Sequence, residues 1–139
     1  MHSEVVHATG HENVTAEHTS TFEVTSDDYL TPAGDCILGI EADRTPADFD
    51  AAFVRACQQA DATITATLAV DGLTERIEGQ GHPDLQFDDD RSLVARTSDY
   101  VDGRTVAVGM AGAAADIDRE MVDRLANGAS LELRLTVTE

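Results

Sequence analysis

Residues 10–42 organise the chain, and they read GHENVTAEHTSTFEVTSDDYLTPAGDCILGIEA. From Val14 onward, twelve residues alternate between one mostly apolar face and one polar face. Because successive side chains of a strand point to opposite faces, this alternation predicts a strand over residues 14–25. Two polar residues, His18 and Ser20, fall on the mostly apolar face and are therefore predicted to be buried.

The same stretch ends in an apolar run from Cys36 to Ala42. Apolar residues fall on both faces of this run, as in a strand that is covered on both sides. We therefore predict a central strand over residues 36–42, with another backbone packed close to Gly39, where no side chain stands in the way.

The neighbouring segments predict one helix and two more strands. Residues 4–9 and the alternating residues 62–70 are typical of strands, and the Asp-Gly pair at 71–72 is typical of a tight hairpin turn. Thr45 and Pro46 provide an N-cap and a first-turn proline for a helix. The apolar face of this helix consists of Phe49, Ala52, Phe53, Ala56 and Cys57.

After the hairpin the pattern begins again. The recurring features are a Gly-His pair (10–11 and 81–82), an Asp-Tyr pair (28–29 and 99–100), a helix (the second around 117–125) and a closing strand (the second over 131–137). The chain is therefore predicted to contain two copies, about 1–70 and 71–139, of a strand-strand-strand-helix-strand unit.

These elements predict one α+β domain over residues 1–139. We expect a mostly antiparallel β barrel or closed sandwich that carries two helices, with a pseudo-twofold axis between the halves. A chain of this length buries roughly two thirds of the surface of its unfolded form, which suffices for one core. Each half alone has too little core, so two independent domains are not expected.

The repeat also suggests a site. It places Asp89 where the first half has His18, and Arg91 where the first half has Ser20. If the two strands approach each other near the axis, the four residues converge in one interior pocket. A histidine beside a carboxylate can act as an acid or base, and a buried arginine can bind an anion. His18 and Asp89 are therefore candidate catalytic residues, and Ser20 and Arg91 are candidate ligand-binding residues.

The same residues can instead have purely structural roles. Residues 88–90 can form a solvated turn that leaves Arg91 at the surface, and His18 can be a core histidine with one hydrogen bond. A structure that places His18 and Asp89 on opposite faces of a sheet would exclude the pocket.

Other candidate ligand-binding residues lie in or near the two Gly-His turns. His11 and His82 occupy equivalent turns, Asn13 follows the first of them, and Arg44 is a further candidate for holding an anion. The two histidines can instead cap the backbone of their own turns. Two histidines without a third ligand at a diagnostic spacing do not define a metal site, so no metal is assigned and no cofactor is named.

A resemblance to a family rests on residues in both halves. They are Gly10, His11, Asn13, Ala16, His18, Thr21, Glu23, Thr25, Leu30, Thr31, Gly34, Asp35, Cys36, Ile37, Gly39, Ala42, Asp43, Gly81, His82, Pro83 and Asp99. In these positions the chain resembles an archaeal family catalogued as domain-of-unknown-function family 371, and the resemblance extends over nearly the whole chain. It implies an archaeal cytoplasmic protein and brings no activity with it. Glu12 departs from the pattern, because comparison with Pro83 predicts proline there.

The composition is strongly acidic, with a net charge of -18 and nine basic residues that are all arginine. The acidic residues are spread over the chain, which is typical of a halophilic protein adapted to a very salty cytoplasm. A specific role in binding a cationic partner is the alternative. In molar salt the Debye length is about 3 Å, so repulsion among the carboxylates is screened. We therefore interpret the charge as a sign of habitat.

The sequence also limits compartment and partners. No apolar run approaches the roughly 20 residues that span a membrane, and no basic face with interleaved aromatic residues suggests nucleic-acid binding. Residues 1–4 lack the features of a signal peptide, so a cytoplasmic location is expected. Cys36 and Cys57 lack a metal-binding or redox spacing and are predicted to be reduced core residues.

Two functions stay open at this point. The first is a domain that binds a small anionic ligand or another protein subunit, including a second copy of itself. The second is an enzyme that uses histidine acid-base chemistry on a small anionic substrate, so the sequence leaves catalysis undecided.

The charge leads to a prediction about salt. Lowering NaCl from molar to millimolar concentration should lower the melting temperature, because unscreened carboxylates repel one another in the compact state. Thermal denaturation followed by circular dichroism measures this effect. A melting temperature that stays constant over this range would contradict the habitat interpretation.

Overall fold

A computed structural model describes all 139 residues. The strands are β1 (His2–Thr9), β2 (Thr21–Thr25), β3 (Ile37–Gly39), β4 (Thr63–Val70), β5 (Leu73–Gln80), β6 (Ser92–Arg96), β7 (Thr105–Ala107) and β8 (Ser130–Thr138). The helices are α1 (Ala51–Cys57) and α2 (Arg119–Ala126), and a short 3-10 turn precedes each of them, at Pro46–Asp48 and Ala114–Asp116. The fold is therefore α+β with two helices, as predicted.

The strands form two four-stranded sheets. The long sheet has the order β1-β8-β4-β5 and is antiparallel throughout. The short sheet has the order β3-β2-β6-β7, with an antiparallel central pair and two parallel outer pairs. The Asp-Gly turn between β4 and β5 is confirmed, and both of its residues take the left-handed φ values that such a hairpin requires, 50° and 83°.

Both sheets contribute to a single core of 35 buried hydrophobic residues. Along β4, buried and half-buried residues alternate as the sequence predicts. On the short sheet, β2 contributes Phe22 and Val24, while Phe53 of α1 and Leu125 of α2 complete the core. Because the buried residues of both halves form one cluster, neither half has a core of its own.

The two sheets meet at both edges, but only at single points. β1 forms a bridge with Ile40, just beyond β3, and β5 forms a bridge with Val108, just beyond β7. The next residues, Glu41 and Gly109, have left-handed φ values of 55° and 57°, so the chain cannot continue as a strand. No ladder joins the sheets, and the predicted closed barrel is therefore not formed.

The predicted strand over residues 14–25 is wrong in its first part. β2 begins only at Thr21, and Ala16 has a φ of 49°, outside the extended region. Ala16 is nevertheless fully buried. The segment before β2 packs against the second half, where the main-chain NH of Ala115 donates a hydrogen bond of 2.9 Å to the carbonyl of His18. Alternating burial here arises from this packing and not from a sheet.

The predicted central strand over residues 36–42 is also shorter and lies elsewhere. β3 has three residues and forms an edge of the short sheet. Its second face is covered by β1, since a Cβ atom on Gly39 would lie 3.0 Å from the Ala8 Cβ and 3.4 Å from the Thr9 carbonyl oxygen. The predicted close backbone at Gly39 is thus present, although it belongs to the other sheet.

The first predicted helix is divided in two. Its 3-10 turn stops at Phe49, which has an extended backbone. α1 begins after Asp50, whose side chain accepts a hydrogen bond of 3.1 Å from the main-chain NH of Ala52. The predicted apolar face keeps Phe53 and Cys57 buried.

The two halves of the chain interlock. The strand-strand-strand-helix-strand order occurs twice, but the loop after β1 lies on α2 and the loop after β5 lies on α1. The main-chain NH of Gly10 donates to the carbonyl of Ala129 at 2.7 Å, and that of His82 donates to the carbonyl of Cys57 at 3.0 Å. Each half therefore holds the helix of the other.

This crossing depends on two glycines. A Cβ atom on Gly10 would lie 2.0 Å from the Leu125 carbonyl oxygen, and one on Gly81 would lie 2.3 Å from the Cys57 carbonyl oxygen. Both carbonyls belong to the last turn of a helix, which cannot give way without distorting it. The Gly-His pairs found in the sequence thus mark the points where the halves touch.

Replacing either glycine should destabilise the fold. We expect Gly10→Ala and Gly81→Ala each to cost about 2–4 kcal/mol of unfolding free energy, because the added carbon overlaps a helix carbonyl. Urea denaturation of the full chain measures the change.

Gly72→Ala is the matched control. Gly72 has a left-handed φ of 83° but open space around it, so its replacement should cost only about 1 kcal/mol. Equal effects at the three glycines would contradict the close-approach explanation.

Candidate functional site

The main candidate site is a polar groove on the outer face of the short sheet, which we call the sheet groove. It has a volume of about 250 Å³. It is lined by Glu23, Asp27, Tyr29, Leu30, Thr31, Gly34, Ile37, Asp89, Arg91, Ser92 and Arg104. Glu23 forms part of the floor, because it alternates along β2 with residues that face the core. The loop between β2 and β3 forms one wall.

One arginine of the groove is held firmly. The Nε and Nη2 atoms of Arg91 donate to both carboxylate oxygens of Asp27 at 2.7–3.0 Å. The hydrogen bond from Arg91 holds the pKa of Asp27 below its usual value. The stability contributed by this pair is therefore present above the ordinary carboxyl pKa and is lost as pH falls through the lower folded value. Arg91 also donates to the Tyr29 hydroxyl at 3.3 Å.

The second arginine is held loosely. Arg104 lies 3.8 Å from the Glu23 carboxylate and 3.6 Å from that of Asp102, and its guanidinium forms no hydrogen bond. Asp102 is bound more closely by Arg96, at 3.0 Å. The donors of Arg104 are therefore available to a ligand.

The carboxylate of Asp102 is ionised in this setting. Partial burial alone would raise the pKa of Asp102, but hydrogen bonds from the Arg104 main-chain NH and the Thr105 hydroxyl, with the charges of Arg96 and Arg104, lower it. Asp102 thus holds Arg96 and attracts Arg104 without fully binding it.

The cysteines do not supply a nucleophile. Burial, reinforced by the Glu23 carboxylate, raises the pKa of the Cys36 thiol to about 11. Burial raises the pKa of Cys57 to about 12. Both thiols are unpaired, and Cys57 is a core residue as predicted, whereas Cys36 is only half-buried beside the sheet groove. A thiol with such a pKa is protonated near neutral pH.

His18 and Asp89 occupy equivalent caps and are not paired with each other. His18 Nδ1 accepts hydrogen bonds from the main-chain NH groups of Ser20 and Thr21 at 3.3 and 3.2 Å. Asp89 Oδ2 accepts from the NH groups of Arg91 and Ser92 at 3.0 and 2.8 Å. No hydrogen bond or ion pair links the two side chains. The structure therefore brings Asp89 and Arg91 to the sheet groove but not His18 or Ser20.

The main-chain carbonyls of His18 and Asp89 form hydrogen bonds with opposite halves of the chain. The His18 carbonyl accepts from Ala115 and the Asp89 carbonyl accepts from Ala47, at 2.9 and 3.0 Å. Arg91 is 61% exposed, so the predicted interior pocket is replaced by two surface turns. Their separation follows from the crossing of the loops, which takes each turn to the opposite helix.

The residues of the Gly-His turns also cap their own backbone. His11 Nδ1 accepts from the Asn13 NH, and His82 Nδ1 accepts from the Asp84 NH, both at 3.0 Å. The Asn13 side chain donates to the Leu30 carbonyl at 2.7 Å. Neither histidine lines a groove.

The guanidinium of Arg44 is bound by other residues of the protein. Its Nη1 atom donates to the Glu4 carboxylate at 2.7 Å, and its guanidinium lies over the Phe49 ring at 5.3 Å. Arg44 does not reach the sheet groove.

Tyr29 and Arg104 line the sheet groove but were not predicted from the sequence as site residues. The Asp-Tyr repeat drew attention to Tyr29 and Tyr100, which with Met1 are the exposed large hydrophobic side chains, but only as markers of the repeat. Arg104 was not among the candidate site residues, and it lies beside Glu23 and Asp102.

No group of three or more His, Cys, Asp or Glu side chains is arranged to hold a metal ion. Neither helix has the length and apolar composition that crossing a bilayer requires.

The fold is a two-sheet α+β structure with one hydrophobic core and a polar groove on its surface. The chain matches the model of the family described as Domain of unknown function (DUF371) over residues 6–138, and it belongs to that family. It is similar to Uncharacterized protein MJ0206 of Methanocaldococcus jannaschii, with 38% identity over 133 residues. That alignment covers 96% of this chain and 98% of the relative. The family resemblance inferred from the sequence is thus confirmed, and the relative is itself uncharacterised.

The capping role of His18 can be tested by substitution. His18→Ala should cost about 1 kcal/mol of unfolding free energy, because two main-chain NH groups lose their acceptor. His18→Asp should recover most of this loss, since a carboxylate caps the equivalent turn at Asp89. Chemical denaturation of the three proteins provides the comparison, and equal losses for alanine and aspartate would refute the cap.

Proposed function

We propose that the protein is a ligand-binding domain whose sheet groove takes a small molecule with one anionic group, a carboxylate or a phosphate. The observation that carries the proposal is the state of Arg104. In a protein with three times as many acidic as basic residues, its guanidinium lies in a groove with only loose ion pairs at 3.6–3.8 Å. An oxyanion that approaches this group would gain charge-assisted hydrogen bonds that the carboxylates do not form.

The held arginine supports the same proposal. Arg91 is held by Asp27 through hydrogen bonds from Nε to Oδ1 and from Nη2 to Oδ2, so its position on the groove wall is set before any ligand arrives. The hydroxyls of Tyr29, Thr31 and Ser92 line the same space. Preorganised donors reduce the entropic cost of binding.

The carboxylates of the groove limit the ligand. Glu23, Asp27 and Asp89 contribute three negative charges against two positive ones, so a highly charged anion would be repelled. A molecule with one anionic group and neighbouring hydroxyl or amine donors fits this balance better, since its donors would meet Glu23.

The alternative, an enzyme with histidine acid-base chemistry, receives no support from the geometry. Nδ1 of His18 is committed to two backbone NH groups, and His18 does not line the groove. A protein-interaction role, including a homodimer, would need an exposed apolar surface. The large apolar side chains that are exposed are only Met1, Tyr29 and Tyr100, so ligand binding is the better supported function.

We also propose that the two halves arose by duplication of one unit. The left-handed residues Ala16 and Phe87 lie 71 positions apart, at the same point before β2 and β6. The two Gly-His turns have the same offset and dock on opposite helices. The acidic, lysine-free composition in turn supports our proposal of a halophilic protein in an archaeal cytoplasm.

Anion binding at Arg104 is tested by NMR. Titration with inorganic phosphate, or with lactate as a carboxylate probe, should shift the Nε–Hε resonance of Arg104 in a saturable way. Arg104→Gln should weaken the affinity at least tenfold, because the charge-assisted donors are removed.

Arg55→Gln is the matched control, since Arg55 is exposed on α1 and outside the groove. It should leave the affinity unchanged. The absence of a saturable shift with both probes, or an equal effect of the two substitutions, would contradict the proposal.

A further inference from the structure

The Arg44 guanidinium is bound by acceptors from its own half of the chain, and we call this set of acceptors the nest. Its guanidinium donates to three acceptors: the Glu4 carboxylate at 2.7 Å, the Val5 carbonyl at 3.2 Å and the Asp48 carbonyl at 3.1 Å. Glu4 is 7% exposed, so the ion pair is largely shielded from water. The nest closes the edge of β1 where that strand has no neighbour.

The second half has the same main-chain hydrogen-bonding arrangement at the edge of its first strand, and we call this arrangement the frame. Asp43 donates its NH to the carbonyl of His7 in β1, and Ala111 donates its NH to the carbonyl of Glu78 in β5. The next residue is Arg44 in the first case and Gly112 in the second.

The carboxylates of the two frames correspond as well. Glu4 accepts a hydrogen bond from the main-chain NH of Asp50, which caps α1. Glu75 accepts one of 3.0 Å from the NH of Asp118, which caps α2. Each carboxylate uses one oxygen for the helix start. In the first half the other oxygen binds Arg44, and in the second half no arginine is supplied.

The place of the missing arginine is an open groove of about 530 Å³, which we call the Gly112 groove. Its lining residues are Glu75, Arg76, Ile77, Glu78, Ala111, Gly112 and Asp116. Three of them, Glu75, Arg76 and Asp116, are the counterparts of the residues that hold the Arg44 guanidinium.

The direction of the Arg76 carbonyl follows from the alternation of carbonyls along β5. In an edge strand every second residue turns its carbonyl to the free edge. Glu78 and Gln80 do so, because they bond to Ala111 and Val108. Arg76 has the same parity, so its carbonyl faces the Gly112 groove as the Val5 carbonyl faces Arg44.

We propose that the Gly112 groove binds a guanidinium group from outside this chain's own fold. The carboxylate of Glu75 and the carbonyls of Arg76 and Asp116 receive its NH donors, in the arrangement that holds Arg44. A planar guanidinium matches this set of acceptors, whereas an ammonium group offers only three donors from one point. With Glu75, the side chains of Glu78 and Asp116 give the groove three carboxylates against the one positive charge of Arg76, so its net charge still favours a cation. This site shares no lining residue with the sheet groove, so it does not depend on the function proposed there.

The guanidinium can come from a small molecule or from an arginine of a second copy of the chain. Agmatine is the probe for the first source, with putrescine as the control of equal spacer length that carries an ammonium instead. Titration of the full chain, followed by amide NMR, should give saturable shifts at Gly112 and Asp118. Putrescine should bind at least fivefold more weakly.

Two substitutions convert one half into the other. Gly112→Arg supplies the missing side chain, needs only a small shift of the Asp116 side chain, 3.3 Å from the new Cβ, and should abolish agmatine binding. Arg44→Gly opens the first nest and should raise the stoichiometry from one agmatine to two. Glu75→Gln keeps an acceptor for Asp118 but removes the charge, and should weaken binding at least tenfold.

Each result of these experiments either supports or overturns the proposal. Agmatine binding that persists in Gly112→Arg, or that Glu75→Gln leaves unchanged, overturns the proposal, as does the absence of saturable shifts in a chain that is monomeric by sedimentation. A wild-type dimer that Gly112→Arg or excess agmatine dissociates supports the proposal and assigns the guanidinium to a second copy. If Arg44→Gly does not fold, the other two variants decide.

Discussion

The contact between a glycine and a helix carbonyl, made once in each half, is the constraint on which the rest of the structure depends. Gly10 reaches the last turn of α2 and Gly81 reaches the last turn of α1, at distances that leave no room for a side chain. The chain therefore crosses between halves directly after β1 and β5. The crossing makes one core out of two short units, and it carries the following turns, with His18 and Asp89, to opposite helices.

The two halves share a frame and differ in the side chains placed on it. His18 and Asp89 cap the same turn with different acceptors, and a left-handed backbone is taken by Glu41 in one half and Gly109 in the other. Because the frame is held by main-chain contacts, such positions can change without loss of the fold. Arg104 stands where the first half has Cys36, since the carbonyls of both accept from the main-chain NH of the neighbouring central strand, and Gly112 stands where the first half has Arg44. Both candidate sites therefore lie where the halves are unlike.

The predictability of the fold follows the origin of each burial pattern. The alternation in β4 arises from a ladder with neighbours on both sides, so the pattern and the strand coincide. The alternation in residues 14–20 arises from packing against the 3-10 turn and helix of the other half, and Ala16 interrupts the strand with a left-handed φ. A single sequence does not distinguish these causes, since both leave apolar residues at every second position.

The sequence by itself determined the α+β class, the family, β4, the hairpin at Asp71 and the Gly-His pairs, because local periodicity and turn chemistry suffice for these. Only the tertiary structure decided that single bridges and no ladders join the two sheets, that His18 and Asp89 are separate caps, and that Arg104 faces the sheet groove while Arg44 does not. These outcomes depend on contacts between residues far apart in the chain. Such contacts are set by how the two halves cross and not by any local pattern.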